Sequence, residues 1–349
     1  MQSSEFEKNA TDLAFNGTSA ENSANQHDDV LLMCKDTPVY NISNNAVLNE
    51  QLLPGAIRHG TLTYSEWMKT RYSAGSNTSA RRMMLRALGT DNHNKTLKAT
   101  RALSLSDCYW LKQQSETVCF DEVTPYLNRE WDGAGTFTGG SISTLFVNGA
   151  ANKQWLDAST LLKVSSYKEL EPYQLCKALG LTAFAAEAIM SSDGIRVTNF
   201  TSTSNFLESL EQSGLVGDSD DARQKAVELF KERAVALFTV DYLVEHDDRH
   251  WGNLGYLRSA DTGQYLSMAP YYDFDWAWSD GVAPLPANAM SEHSAYIAAL
   301  CEKAKEVSGG FEHGAIITKR ANELLNQLRG TNEPVNQLPT ISSDPLKRD

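Results

Sequence analysis

The feature that most constrains the fold is a long helical pattern that runs directly into a strongly polar loop. Apolar side chains recur at helical spacing from Val227 to Val244. The segment EHDDRHWGNLGY, residues 245–256, follows at once, and its first nine positions hold two histidines, two aspartates, an arginine and an asparagine. A buried helix that ends in so many polar groups is typical of a scaffold that carries a functional loop.

The chain after this loop is predicted to return as a hairpin. Apolar and polar residues alternate on both sides of a turn at residues 260–263, which is the pattern of two antiparallel strands. The returning strand ends in YYDFD, residues 271–275. The hairpin should therefore bring Asp273 back beside Asn253.

The first half of the chain is predicted to be rich in strands. An early hairpin is expected around residues 30–42, and helices are expected at 62–72 and 78–88. A glycine-bearing hairpin and further strands should occupy residues 133–165, with Lys163 on a strand. The helix that follows, 171–179, has Pro172 in its first turn and a glycine beyond its end.

These patterns predict an α+β protein with two lobes, a β-rich N-lobe and a mainly helical C-lobe. The boundary is placed at the polar, glycine-containing stretch 214–222, so that residues 29–213 form the N-terminal lobe and 214–330 the catalytic lobe. Residues 1–28 and 331–349 are expected to be disordered tails, because they contain few large apolar side chains.

Composition limits the kinds of partner. A net charge of −13 argues against direct binding of nucleic acid over a broad surface, which requires a basic face. No stretch approaches 18 consecutive apolar residues and the first residues lack a signal-peptide pattern, so we expect no membrane segment and a cytoplasmic location.

The polar loop has the spacing that phosphoryl transfer needs. Asp248 and Asn253 stand five positions apart, as in a kinase catalytic loop, where the aspartate accepts the hydroxyl proton and the asparagine oxygen binds a metal. Asp273 is the candidate second ligand of Mg²⁺. His250 lies in the same loop and is a further candidate catalytic residue.

The remaining parts of an ATP site have weaker candidates. Lys163 could contact the α- and β-phosphates, and Gly139, Gly140 and Ser141 could lie over them and donate backbone N–H groups. This glycine-rich segment contains no GxGxxG pattern.

At these residues the sequence resembles the HipA-type serine/threonine kinases, a bacterial group that includes toxins of toxin–antitoxin pairs. The resemblance rests on DDRHWGN, residues 247–253, and on YYDFD, residues 271–275. VLLMCKDTPV, SLSDCYWL and LLKVSS followed by ELEPY support it, so the order of motifs covers most of residues 30–325.

The resemblance implies a protein-kinase-like fold that uses ATP and Mg²⁺. Asp248 would be the catalytic base, Asn253 and Asp273 the metal ligands, and Lys163 the ATP lysine. It also implies a protein substrate with a Ser or Thr acceptor, an antitoxin-like partner, and autophosphorylation at Ser141 or Ser143.

One departure from the family leaves the partner of Lys163 open. The family has an acidic residue near the start of the helix after the lysine strand, in a context such as EPYNE, whereas Gln174 and Leu175 stand where it is expected. Glu171 and Glu169 are the alternatives.

Other functions also remain open on the sequence. A lipid or small-molecule kinase would use the same aspartate and asparagine. An inactive nucleotide-binding module regulated by a partner is a second alternative. A zinc site at His246 and His250 is less favoured, since the segment lacks the glutamate of HExxH.

Overall fold

The computed structural model describes residues 29–71, 92–127, 153–215 and 222–330. Within these ranges the strands form three sheets, all of them antiparallel in their pairing. Strands predominate before residue 210 and helices after residue 286. The predicted α+β class, with a β-rich first part and a helical last part, is confirmed. Both predicted tails, the predicted helix at 78–88, and the candidates Gly139, Gly140, Ser141 and Ser143 lie outside the described residues.

The first sheet has the strand order β3-β2-β1-β4. Its strands are β1 (Val30–Cys34), β2 (Thr37–Asn41), β3 (Ala46–Val47) and β4 (Tyr109–Gln113). The helices nearby in sequence are α1 (Gly55–Arg58), α2 (Tyr64–Thr70), α3 (His93–Ala99) and α4 (Phe120–Val123). Trp67, Trp110 and Phe120 are buried in one apolar cluster with β1 and β4. The predicted early hairpin is confirmed as β1 and β2.

The second sheet has the order β5-β6-β8-β7 and carries Lys163. Its strands are β5 (Lys153–Asp157), β6 (Thr160–Val164), β7 (Ala188–Ser191) and β8 (Gly194–Thr198). A 3₁₀ turn at Tyr167–Glu169 leads into helix α5 (Leu170–Ala178). Of the predicted strand region 133–165, the part from residue 153 is present as β5 and β6, with Lys163 on β6, and the glycine-bearing hairpin before it lies outside the described residues. The predicted helix with Pro172 in its first turn is also present.

Gly194 allows β8 to pass close to the lysine strand. A Cβ at this position would lie 2.0 Å from the Lys163 carbonyl oxygen, and the φ angle of Gly194 is +151°. Any side chain here would displace the backbone that carries Lys163.

The third sheet has the order β11-β10-β9 and joins the two predicted lobes. Strand β9 (Asn205–Ser209) precedes the predicted boundary, whereas β10 (Gly255–Ser259) and β11 (Tyr265–Met268) follow it. The predicted hairpin after the polar loop is confirmed as β10 and β11. A division at residues 213/214 would thus cut through a sheet, since β9 pairs with β10 along its whole length.

The second half of the chain is mainly helical, and one of its helices is buried along most of its length. They are α6 (Leu210–Ser213), α7 (Ala222–Phe230), α8 (Glu232–Leu243), α9 (Ala287–Glu292), α10 (Ser294–Val307) and α11 (Gly314–Gly330). Every residue of α8 from Ala234 to Leu243 is buried. The sequence predicts a single helix here, but the backbone at Lys231 takes a φ of 51° and ends α7. Lysine has a high helix propensity, so the residue at position 231 does not predict the end of a helix.

None of the described helices is long and apolar enough to span a membrane.

Candidate active site

A cleft of about 270 Å³ collects the candidate residues from both halves of the chain. Strands β5 and β6, the polar loop and the segment after β11 all contribute to its lining. Its polar lining includes Lys153, Lys163, Tyr173, Asp248, His250, Asn253, Tyr272, Asp273 and Asp275. The predicted base, both predicted metal ligands and the predicted ATP lysine therefore face one cavity.

Arg249 holds the polar loop to the end of α8. Its buried guanidinium makes a bidentate pair with Asp241, with Nε 3.0 Å from Oδ2 and Nη2 2.9 Å from Oδ1. Its Nη1 donates to the carbonyl oxygens of Asn253 at 3.2 Å and of Tyr272 at 2.7 Å. One side chain thereby connects the loop residues next to Asp248, the backbone of Asn253 and the residue before Asp273.

Asn253 is the last residue of a short 3₁₀ turn, Trp251–Asn253. Its N–H donates to the His250 carbonyl at 2.9 Å, and its own carbonyl accepts from Arg249. Both contacts are made by the backbone, so the side-chain amide lines the cleft without being used to hold the turn. This is the orientation that a metal-binding asparagine requires.

His250 caps the same turn. Its Nδ1 accepts a hydrogen bond from the N–H of Gly252 at 3.0 Å. A Cβ at Gly252 would lie 2.7 Å from the ring carbon Cε1, so a glycine is needed for this close approach. Since one ring nitrogen supports the loop itself, the geometry favours a structural role for His250, and its catalytic role stays a prediction.

Lys163 lies within a buried group of charges. Its Nζ pairs with Glu169 Oε2 and lies 2.6 Å from Asp273 Oδ1. Burial alone would lower the pKa of Lys163, but the adjacent carboxylates outweigh this and hold the pKa well above its ordinary value. For Asp273, burial acts to raise the pKa, and the ammonium groups of Lys163 and Lys153 outweigh burial and lower it. Lys163 and Asp273 are therefore both charged at neutral pH.

The structure selects Glu169, not Glu171, as the partner of Lys163. Glu169 is fully buried at the end of the 3₁₀ turn before α5. Glu171 instead makes a hydrogen bond with the ring Nδ1 of His313, whose backbone N–H also donates to Glu171 Oε1 at 3.0 Å. The assignment of Glu171 to the nucleotide site is therefore corrected, because its carboxylate is directed to the start of α11. Because Glu169 and Glu171 are two positions apart, their side chains lie on different sides of the start of α5.

Asp273 occupies an unusual backbone conformation. Its φ angle is 61°, in the left-handed region that few residues other than glycine, asparagine and aspartate adopt readily. The N–H of Asp273 donates to the Tyr173 hydroxyl at 3.2 Å, and that of Phe274 donates to Glu169 Oε2 at 3.3 Å.

The donor set of the cleft suits Mg²⁺. Asp273 supplies a carboxylate whose Oδ1 accepts both lysines, so Oδ2 stands outside those ion pairs, and Asn253 supplies an amide oxygen. Mg²⁺ is usually held by one or two protein carboxylates together with substrate phosphates rather than by a full protein cage. Correspondingly, the described residues contain no group of three or more His, Cys, Asp or Glu side chains placed to hold a metal.

The two histidines of the polar loop have different surroundings. His246 is fully buried with its ring 5.9 Å from that of Phe274, whereas His250 is exposed. Burial, followed by the nearby Arg249 charge, lowers the pKa of His246 to about 4. His246 is therefore neutral at pH 7 and belongs to the packing beneath the loop.

Lys153 and Arg249 were not assigned a role from the sequence. Lys153 lies ten positions before Lys163, and the register of β5 and β6 places the two directly opposite each other. A regular register continued from the Asp157–Thr160 pair would set Gln154 opposite Lys163, but an irregularity between Trp155 and Asp157 shifts the pairing by one residue and brings Lys153 there. The sequence pattern does not indicate this shift. For Arg249 the sequence carried no signal beyond its place in the loop.

No protein-family model matches the sequence, and no curated protein matches it. Among solved structures, the chain is similar to HipA of Shewanella oneidensis MR-1, determined in a complex with HipB and its operator DNA. The identity is 14% over 86% of this chain and 97% of that chain, with a TM-score of 0.48.

The chain is also similar to the Helicobacter pylori proinflammatory kinase CtkA. Here the identity is 13% over 52% of this chain and 96% of that chain, with a TM-score of 0.36. Both similarities concern the fold alone.

Proposed function

We propose that this chain is an ATP- and Mg²⁺-dependent kinase of HipA type that transfers the γ-phosphoryl group to Ser or Thr hydroxyls of a protein. The observation that carries the proposal is the single cleft lined by Lys163, Asp248, Asn253 and Asp273. Phosphoryl transfer depends almost entirely on positioning and charge stabilisation, and these four side chains are the parts that it requires.

Each residue has a defined part in this reaction. Asp248 orients the acceptor hydroxyl and takes its proton, while Asn253 and Asp273 hold Mg²⁺, which supplies positive charge to the phosphates when bound. Lys163, oriented by Glu169, binds the phosphates of the nucleotide. The Lys163–Glu169 pair supplies the acidic partner that the sequence left open, and this favours an active kinase over an inactive nucleotide-binding module.

The test is incorporation of label from [γ-³²P]ATP into protein. Asp248→Asn and Asp273→Asn should each reduce incorporation on the order of 100-fold or more, because the base or a metal ligand is lost. Asp247→Asn is the matched control: Asp247 is the adjacent aspartate, is exposed, and contacts Ser279 at 3.2 Å instead of lining the cleft. Unchanged incorporation in both cleft variants would rule out the proposed kinase.

The acceptor and the partner are separate questions. Supplying lipids, small hydroxyl compounds and proteins as acceptors distinguishes a protein kinase from the lipid or small-molecule kinase that the motifs also permit. Intact-protein mass spectrometry after incubation with ATP would reveal autophosphorylation, for which Ser141 and Ser143 are the candidates. An antitoxin-like partner and a toxin activity stay predictions that co-purification and growth assays can check.

A further inference from the structure

Two aromatic rings, those of Trp278 and His313, stack beside the turn that carries Glu169. Their ring centroids are 4.1 Å apart and their planes lie within 10° of parallel. Trp278 belongs to the segment after Asp273, and His313 directly precedes α11. Both side chains remain partly exposed and neither lines the cleft. The stack therefore lies outside the catalytic cavity, at the surface of the protein.

The stack holds the chain on both sides of Glu169. The indole Nε1 of Trp278 donates to the carbonyl oxygen of Lys168 at 3.2 Å. The backbone N–H of His313 donates to Glu171 Oε1 at 3.0 Å, and its ring Nδ1 is hydrogen-bonded to Glu171 Oε2. Lys168 immediately precedes Glu169, and Glu171 follows it by two positions. Two residues from the second half of the chain thus fix the backbone that carries this buried glutamate.

The backbone of Trp278 is itself firmly held. Its φ angle is 64°, in the left-handed region, where a bulky residue is an outlier that persists only if its surroundings fix it. The N–H of Trp278 donates to the carbonyl oxygen of Val244 at 2.8 Å. Val244 follows the last residue of α8 and precedes the polar loop. One residue therefore contacts both the base of the polar loop and the turn before α5.

We propose that the Trp278–His313 stack is a positioning device for Glu169 and, through Glu169, for Lys163. Glu169 Oε2 pairs with Lys163 Nζ and accepts the N–H of Phe274 at 3.3 Å, so a displaced turn would move the lysine away from its place in the cleft. The stack ties this turn to the base of the polar loop, which keeps the lysine and the catalytic aspartate in a fixed relation. The role rests on the proposed phosphoryl transfer, and neither ring touches the nucleotide.

Initial rates of phosphoryl transfer at saturating Mg·ATP provide the first test. Trp278→Phe keeps a ring for the stack but removes the indole N–H, so the turnover number should fall about 3- to 10-fold, as expected for loss of one hydrogen bond. His313→Ala removes one ring and should cause a similar fall. His313→Phe restores a ring, so its turnover number should exceed that of His313→Ala.

Tyr167→Phe is the matched control. It also removes one hydrogen bond from the turn before α5, in which the Tyr167 hydroxyl donates to the carbonyl oxygen of Ser192 at 2.7 Å, but this bond does not involve the stack. The turnover number of Tyr167→Phe should stay within twofold of the unmodified chain. A loss equal to that in Trp278→Phe would overturn the specific role of the stack.

A double-variant cycle separates positioning from a merely structural effect. If Trp278 acts through Glu169, Trp278→Phe should change the turnover number less than about twofold in a chain that already carries Glu169→Gln, because coupled residues are not additive. The same factor in both backgrounds would overturn the inference. Thermal unfolding of each variant establishes that the folded protein is assayed.

Hydrogen–deuterium exchange gives a readout that does not require transfer. Residues 167–171 should exchange faster in Trp278→Phe and in His313→Ala, while the exchange of β1 and β4 stays unchanged, because only the turn loses its support. Unchanged exchange at 167–171 overturns the inference whether or not the chain is a kinase. Absence of transfer in the unmodified chain contradicts the proposed kinase, and exchange then decides by itself whether the stack holds the turn of Glu169.

Discussion

Glu169 and Glu171 stand two positions apart but contact different partners in the structure. Glu169 is buried against Lys163, and Glu171 pairs with His313 at the start of α11. Glu169 is thus placed to orient the lysine, whereas Glu171 connects α5 to another helix.

Substituting each glutamate separately with glutamine tests this difference in contacts. Glu169→Gln should lower phosphoryl transfer roughly 10- to 100-fold, because Lys163 would lose one charge-assisted hydrogen bond and its fixed orientation. Glu171→Gln should leave the rate within a few-fold of the unmodified chain. Initial rates with saturating Mg·ATP provide the measurement, and equal rates for the two variants would contradict the assignment of Glu169.

Single residues also show where the sequence was sufficient. Asp248, Asn253 and Asp273 could be predicted because their spacing follows from one loop and one hairpin, both of which are local structures. The choice between Glu169 and Glu171 could not, because it depends on how tightly the 3₁₀ turn before α5 is wound.

At the scale of elements, Arg249 joins three segments at the polar loop. It contacts Asp241 on α8, the backbone of Asn253, and the carbonyl of Tyr272 after β11. The guanidinium can make all of these contacts because its donors form a planar fork. A lysine ammonium cannot reproduce this geometry.

We therefore expect Arg249→Lys to destabilise the fold by about 1–3 kcal/mol, because the ammonium keeps the charge but leaves buried acceptors of the guanidinium without a donor. Transfer should also fall at temperatures where the variant remains folded, because Asp248 and Asn253 lose their common support. Arg249 is a positioning residue, so both the Mg·ATP affinity and the turnover number should decrease. Urea unfolding and initial rates measure the two effects.

Arg196→Lys is the control, since Arg196 is exposed on β8 and lies outside the cleft. A normal turnover number in a folded Arg249→Lys variant would show that the loop is positioned without the guanidinium.

At the scale of the whole molecule, Arg258 connects sequence segments that are far apart. It is fully buried on β10 and donates to Glu208 on β9 at 2.9 Å. It also donates to the carbonyl oxygens of Gln51 at 2.6 Å and of Leu53 at 2.9 Å. The N-terminal segment, the end of the β-rich part and the hairpin after the polar loop thus share one cation.

Arg258→Met should destabilise the protein by about 3–5 kcal/mol, because Glu208 would become a buried carboxylate without its cation. Unfolding should still occur in one transition, since β9 and β10 belong to the same sheet. Coincident urea curves from tryptophan fluorescence and far-ultraviolet circular dichroism are the expected result.

The surface pair Lys35–Asp261 also connects distant parts of the chain and serves as the comparison. Lys35→Met should cost no more than about 1 kcal/mol, because this pair is solvent-exposed. Two separate transitions in Arg258→Met would instead support the predicted division of the chain at residues 213/214.

The sequence by itself determined the α+β class, the early hairpin, the hairpin around Gly263, and the order of the residues that line the cleft. These features follow from periodicity, turn residues and spacing, which act over a few neighbouring positions. The end of α7 at Lys231 and the third sheet across the predicted boundary were decided by tertiary structure.

Tertiary structure also decided the chemistry around the predicted residues. In the folded protein, Lys153 forms an ion pair with Asp273, and Lys163 pairs with Glu169 rather than Glu171. Arg249 hydrogen-bonds to partners on three elements. Each choice depends on which side chains packing brings within hydrogen-bonding distance in a buried site, where an unpaired charge is costly. Spacing along the chain cannot specify contacts between elements that meet only after the protein has folded.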